Sequence, residues 1–127
     1  MLPITSGLTA LSALALVGLS VPISIRRFKV RVSLGDREDP VLRGRIRAQA
    51  NFAEYVPLAL IAIGLCEFNG MPRWFVWSCA ASLVAGRTVH AFGMLTGAHT
   101  RPRAAGMLFT WASLILAAAG LLWQIAR

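Results

Sequence analysis

From Leu2 to Ile25 the chain contains no ionisable side chain, and an apolar run of that length belongs in a bilayer. Arg26 and Arg27 end the run, so its basic residues follow rather than precede it, which reads as a membrane span and not as a cleavable leader. Arg43 to Phe68 is amphipathic at its start and almost wholly aliphatic from Val56 to Cys66. Arg73 to Thr96 follows the turn sequence Asn69-Gly70-Met71-Pro72, and Pro102 to Ala126 opens with a proline whose missing N–H costs little in a first helical turn. Spans need about 20 residues each, so four with short connections nearly fill the 127-residue chain. Only 14% of the residues are charged and 57% are hydrophobic, whereas soluble domains carry about 25% charged residues. The expected fold is a single all-α domain over residues 1–127, a transmembrane four-helix bundle with helices at about 2–25, 43–68, 73–96 and 102–126.

Charge sets the expected orientation. Arg26, Arg27, Lys29, Arg31, Arg37, Arg43, Arg45 and Arg47 surround the first connection, and Arg101 and Arg103 lie in the third. Arg73 and Arg127 alone mark the opposite side. Basic residues in short loops stay in the cytoplasm, so both termini and the short hairpin are expected outside it. Trp74, Trp77 and Trp123 then fall at the outer interface, where indole rings prefer to sit. A basic excess of this origin accounts for the formal charge of +8 and leaves no case for a nucleic-acid partner. A bacterial inner membrane is the expected location.

Polar residues at membrane depth are costly, so those present point to function. On a helical period Arg43, Arg47, Asn51, Glu54 and Leu58 share one face, a polar stripe entering from the basic side. Arg87 sits at the depth of Glu54 on the next helix, which predicts a buried ion pair between them. Arg47 and Asn51 exceed what one carboxylate can neutralise and suggest an anionic ligand. Arg87, His90, Met94, Arg101 and Arg103 continue the pattern toward the same end. His90 and His99 form no zinc motif, so no metal is expected, and Cys66 and Cys79 lack C-x-x-C spacing and read as reduced packing residues. Ser78, Ser82 and Gly86, with Gly93 and Gly97 beyond, form a small-residue stripe that permits close helix approach and makes an oligomer reasonable.

The segment Arg47-Ala48-Gln49-Ala50-Asn51-Phe52-Ala53-Glu54-Tyr55-Val56-Pro57 resembles the R-A-x-x-N-x-x-E-x-x-P signature of the MAPEG family, the membrane-associated proteins of eicosanoid and glutathione metabolism. The similarity extends to the length, the four helices, the basic first loop and the arginine of the third helix. It implies a homotrimer that binds glutathione between subunits near the cytoplasmic end and activates its thiol toward an apolar electrophile, as a transferase or peroxidase. Arg47, Asn51, Glu54 and Tyr55 match positions that hold glutathione in the family, as does Arg87, with His90 one turn on. Arg26 resembles an arginine near the thiol and carboxylates, and Arg101 matches in spacing the arginine that stabilises the thiolate, with Arg103 as its alternative. Glutathione would be a cosubstrate and no metal is implied. One departure concerns chemistry: His90 and Met94 stand where eicosanoid enzymes of the family carry tyrosines, and a thioether has no hydrogen to donate.

Two other classes compete. A non-catalytic protein of this fold that binds glutathione or lipid, or scaffolds a partner, needs no hydroxyl donors on the third helix. Small four-helix multidrug carriers resemble one another in a glutamate within the first helix, and residues 2–25 contain no acidic side chain.

Overall fold

The computed structural model describes residues 1–96 and 100–126. Gly97, His99 and Arg127, named above for packing, metal binding and charge asymmetry, lie outside the described residues. Four helices make up the fold: α1 (Pro3–Val30), α2 (Pro40–Phe68), α3 (Arg73–Leu95) and α4 (Thr100–Ile125). The first two are longer than expected at their shared end. α1 runs past Ile25 because cationic side chains are favourable in a last helical turn, and it closes only at Arg31, whose φ of 54° is left-handed. α2 begins at Pro40, where a proline is preorganised for the first turn, and the Asp39 carboxylate caps it by accepting the Leu42 N–H at 2.7 Å.

The helices alternate in direction. Asn69 after α2 donates through Nδ2 to Gln124 Oε1 near the end of α4, so these ends coincide, and the short 69–72 turn sends α3 back between them. α2 packs against all three other helices, α3 and α4 form the closest pair, and α1 lies at the edge, chiefly against α2. α1, α2 and the Arg101–Ile125 stretch are long and apolar enough to span a bilayer. α3 is interrupted by Arg87 and His90, both buried in the bundle, but its 23 residues still extend about 34 Å alongside its neighbours. The core joins Phe52, Val56, Ala59 and Ile63 of α2 to Val76, Ala80 and Leu83 of α3, with Ile4 and Leu8 of α1 and Ala117 of α4. Cys66 and Cys79 are free and buried in it, as expected for packing residues.

The small-residue stripe packs α3 against α4 of the same chain. Gly86 faces Gly106 and Thr110 of α4, Gly93 faces Pro102 and Arg103, and Ser82 donates to the Phe109 carbonyl at 2.7 Å. Ser113 of α4 returns a bond to the Cys79 carbonyl, also at 2.7 Å. Where lipid replaces water there is no hydrophobic gain between helices, so such close contacts and interhelical hydrogen bonds carry association.

α1 has few side-chain neighbours and is held mainly by its ends. Its first turn has no side-chain cap of its own. Glu67, at the far end of α2, supplies one: its carboxylate accepts the backbone N–H groups of Ile4 and Thr5 at 2.9 and 2.8 Å and the Thr5 hydroxyl at 2.6 Å. An anion at a helix N-terminus satisfies otherwise unpaired donors and complements the dipole. Glu67→Gln retains one acceptor oxygen for three donors and is expected to cost about 1–3 kcal/mol. Thermal unfolding in detergent checks this, with Glu54→Gln, at an exposed glutamate lacking a partner among the described residues, as the neutral reference.

At the other end Arg26 pairs with Asp39 at 2.6 Å, Arg43 pairs with Asp36, and Arg45 donates to the Pro22 carbonyl at 2.9 Å. The Arg26 guanidinium, with the Leu42 N–H, holds the Asp39 carboxyl below the usual carboxylate range, and Arg43 with the Glu38 N–H does the same for Asp36. Depressed carboxylates stabilise the fold above their ordinary pKa and lose that contribution as pH falls through the lowered value. Melting temperature is therefore expected to hold from neutrality to about pH 4 and to decline below it. Asp39→Asn should start lower at neutral pH and decline less.

Candidate functional site

The polar residues of α2 divide into two neighbouring rows. At 3.6 residues per turn, Asn51 and Tyr55 lie about 40° apart, while Arg47 and Glu54 lie about 20° apart on the adjoining strip. Arg87 of α3 meets the first row. Its Nη1 donates to Asn51 Oδ1 at 2.6 Å, its Nε donates to Thr110 Oγ1 at 3.0 Å, Nη2 reaches the same hydroxyl, and its guanidinium carbon lies 5.6 Å from the centre of the Tyr55 ring. The expected Glu54–Arg87 ion pair is therefore absent. Glu54 faces outward on the second strip, exposed and without a partner among the described residues, as does Arg47.

This corrects the electrostatics of the site. Arg87 is only 6% exposed, and every group it bonds is neutral. Among the described residues the buried guanidinium has no counter-anion. Thr110 was not legible as a site residue; it lies in an apolar stretch of α4, and its sole marker is its position one turn after Gly106, whose carbonyl accepts its hydroxyl at 2.9 Å.

The remaining residues occupy the same end of the bundle under different constraints. His90 is buried one turn beyond Arg87, against the α4 backbone at Gly106. Arg103 is half-buried, with its Cγ against Gly93 and its Nη1 3.8 Å from the Met94 sulfur. Arg101 is exposed and has no partner among the described residues. Arg26 is engaged by Asp39 and so is less available than its charge suggests. The structure thus brings Asn51, Tyr55 and Arg87 together, with His90 next along α3, and leaves Arg47, Glu54 and Arg101 at the surface.

Beside Arg87 lies a groove of about 440 Å³ between α1, α2 and α3. Leu8, Leu11, Leu19, Phe52, Val56 and Leu83 give it apolar walls, and Ser12, Arg87 and Thr88 form its polar part. The guanidinium cluster and an apolar channel along the bundle are therefore contiguous.

Four alternating helices, three of them apolar enough to span alone, with one arginine buried among neutral partners, define a multi-pass membrane protein. A sequence model of the MAPEG family matches residues 5–123, and the chain belongs to that family. It is 36% identical over 118 residues to the "Inner membrane protein YecN" of Escherichia coli K12, covering 91% of this chain and 87% of that protein. The YecN of Escherichia coli O6:H1 matches to the same extent. The chain is accordingly a multi-pass protein of the bacterial inner membrane.

Proposed function

We propose that the protein is a glutathione-dependent membrane transferase or peroxidase, assembled as a homotrimer with glutathione held between subunits at the cytoplasmic end. The observation that carries this reading is a charge set left incomplete within one chain: among the described residues Arg47, Glu54 and Arg101 are exposed and unpaired, and the buried Arg87 has no counter-anion. Glutathione brings two carboxylates and an ammonium, which complement two or three guanidiniums and one carboxylate. In this arrangement Arg47 and Glu54 bind the charged ends, Asn51 and Tyr55 hold the peptide, Arg87 orients Asn51 and supplies buried positive charge, and His90 flanks the thiol. An outward strip that runs from Arg47 and Glu54 to exposed Leu58, Ile61 and Leu65 suits a neighbouring subunit that closes the site.

A free thiol has a pKa near 8.5, and only its thiolate is strongly nucleophilic. Lowering that value by about two units takes about 2.7 kcal/mol of preferential stabilisation of the anion, within reach of one guanidinium. Arg101, exposed and without a partner among the described residues, would supply it, whereas Arg103 packs against Gly93 and Met94 and Arg26 is tied to Asp39. The thiolate then attacks the electrophilic carbon of an apolar acceptor, forming a C–S bond while the leaving group departs with its electron pair. The groove beside Arg87 would seat that acceptor from the bilayer side.

A second reading, binding of glutathione without turnover, is favoured by one observation. His90 is buried against α4, and Met94, a thioether with no hydrogen to donate, contacts Arg103 through sulfur, so neither stands ready to donate to a substrate as a tyrosine would. Calorimetric titration with glutathione, paired with an electrophile screen, tests both. Binding that weakens in Arg47→Ala, with turnover, supports the enzyme; binding alone supports the second reading, and no binding refutes both.

A further inference from the structure

We propose that a cleft at the basic end of α1 binds the headgroup phosphate of an anionic phospholipid of the cytoplasmic leaflet, a site separate from the Arg87 cluster. The cleft has a volume of about 520 Å³ and is lined by Ser24, Arg27, Phe28, Arg31, Val32 and Ser33. Two guanidiniums and two hydroxyls around one space are the donors that a phosphodiester takes.

The cleft is built rather than incidental. Arg27 Nη1 donates to the carbonyls of Ser33 at 3.2 Å and Gly35 at 2.9 Å, folding the chain after α1 back over its last turn. Its Nε and Nη2 hydrogens have no acceptor among the described residues. Val32, 8% exposed and packed with Ile23 and Leu42, fixes the floor. The carboxylates of this loop do not neutralise the pair: Asp39 is taken by Arg26, Asp36 by Arg43, and Glu38 forms no ion pair with Arg27 or Arg31. Arg27 and Arg31 therefore remain available to an external anion.

Apolar exposure selects a lipid over a soluble ion. Phe28 is 84% exposed and lines the same cleft, and Leu34, 87% exposed, follows in the same loop. A free phosphate would leave both in water. At the headgroup level of a bilayer an aromatic and an aliphatic side chain have a favourable place beside arginines that reach the phosphates. Ten basic side chains against three acidic ones over residues 26–47 and 101–103 add long-range attraction to an anionic leaflet. That general field does not distinguish one arginine from another, whereas the cleft does.

The test is native mass spectrometry of the full chain released from neutral detergent, titrated with phosphatidylglycerol or phosphatidylcholine. Phosphatidylglycerol is expected to bind more tightly, and Arg31→Gln, at an exposed position, to weaken that binding about fivefold. Arg37→Gln removes the same charge from the loop outside the cleft and is expected to change it less than about twofold. Equal affinity for the two lipids, or equal losses in the two variants, would overturn the proposal. So would displacement of the lipid by millimolar inorganic phosphate, which would make the cleft a site for the soluble ion. Helix content measured by circular dichroism on each variant separates lost binding from lost fold.

Discussion

Gly106→Ala is expected to be the most damaging single-methyl change in the chain. A Cβ at Gly106 would stand 2.5 Å from the His90 nitrogen and 2.7 Å from the Gly86 oxygen, both backbone atoms that no rotamer change can move. α3 and α4 would have to separate, and with them the Ser82 and Ser113 bridges and the Thr110 hydroxyl that Arg87 uses. Overpacking of this kind costs about 1–3 kcal/mol where side chains can yield and more where they cannot. Gly86→Ala meets Thr110 and the Gly106 carbonyl at 2.6 to 2.8 Å and should behave alike. Gly64→Ala meets only a Thr5 methyl at 3.2 Å and should cost far less, and Gly18→Ala, with nothing within 4 Å, should stabilise α1 by about 0.5–1 kcal/mol. Detergent melting curves for the four variants give the ranking, and a Gly106→Ala protein as stable as Gly64→Ala would refute the close α3–α4 crossing.

Arg87→Met is expected to separate stability from binding. Burying a guanidinium among neutral groups is expensive, so replacing it with an apolar side chain of similar reach should change stability by no more than about 1–2 kcal/mol. Thr110 keeps its bond to the Gly106 carbonyl, and half-buried Asn51 can turn to solvent or ligand. The same substitution removes the buried positive charge and the bond that orients Asn51. Charge-assisted interactions contribute about 1.5–3 kcal/mol, so glutathione affinity should fall about 10- to 100-fold. Thr110→Val is the converse, leaving Arg87 without its α4 hydroxyl and with only the weak Met107 sulfur acceptor on that helix, and should lower the melting temperature more than Arg87→Met does. The opposite order would mean that Arg87 is there to hold the helices together.

Much of this architecture was legible in the sequence because a bilayer demands it. Apolar runs ended by Arg26-Arg27 and by Asn69-Gly70 fix helix number and alternation, and those properties depend on composition and spacing alone. The helix ends around residues 26–42 were misplaced because Asp39 caps and Pro40 starts α2 through local geometry that hydropathy does not register. The Arg87 pairing was misread for a sharper reason. Glu54 and Asn51 lie three residues apart, about 60° around the helix, and depth in the membrane does not say which of the two faces α3. Charge complementarity favoured the glutamate, and packing chose the amide. Glu67 passed unnoticed because its partners are backbone N–H groups more than 60 residues away, for which no side-chain pattern stands. The small-residue stripe was legible as a close helix contact, while the reciprocal Gly106 on α4 of the same chain carried no signal of its own.

In the proposed function the outward charges at the basic end serve an activated glutathione thiolate. The most direct measurement is the ultraviolet thiolate difference spectrum of purified protein titrated with glutathione near neutral pH, for wild type, Arg101→Ala and Arg47→Ala. A saturable thiolate band is expected in wild type; it should disappear in Arg101→Ala, although glutathione still binds, and require higher glutathione concentrations in Arg47→Ala. A wild-type protein that binds glutathione without a thiolate band, or a band unchanged in Arg101→Ala, would contradict the proposed function.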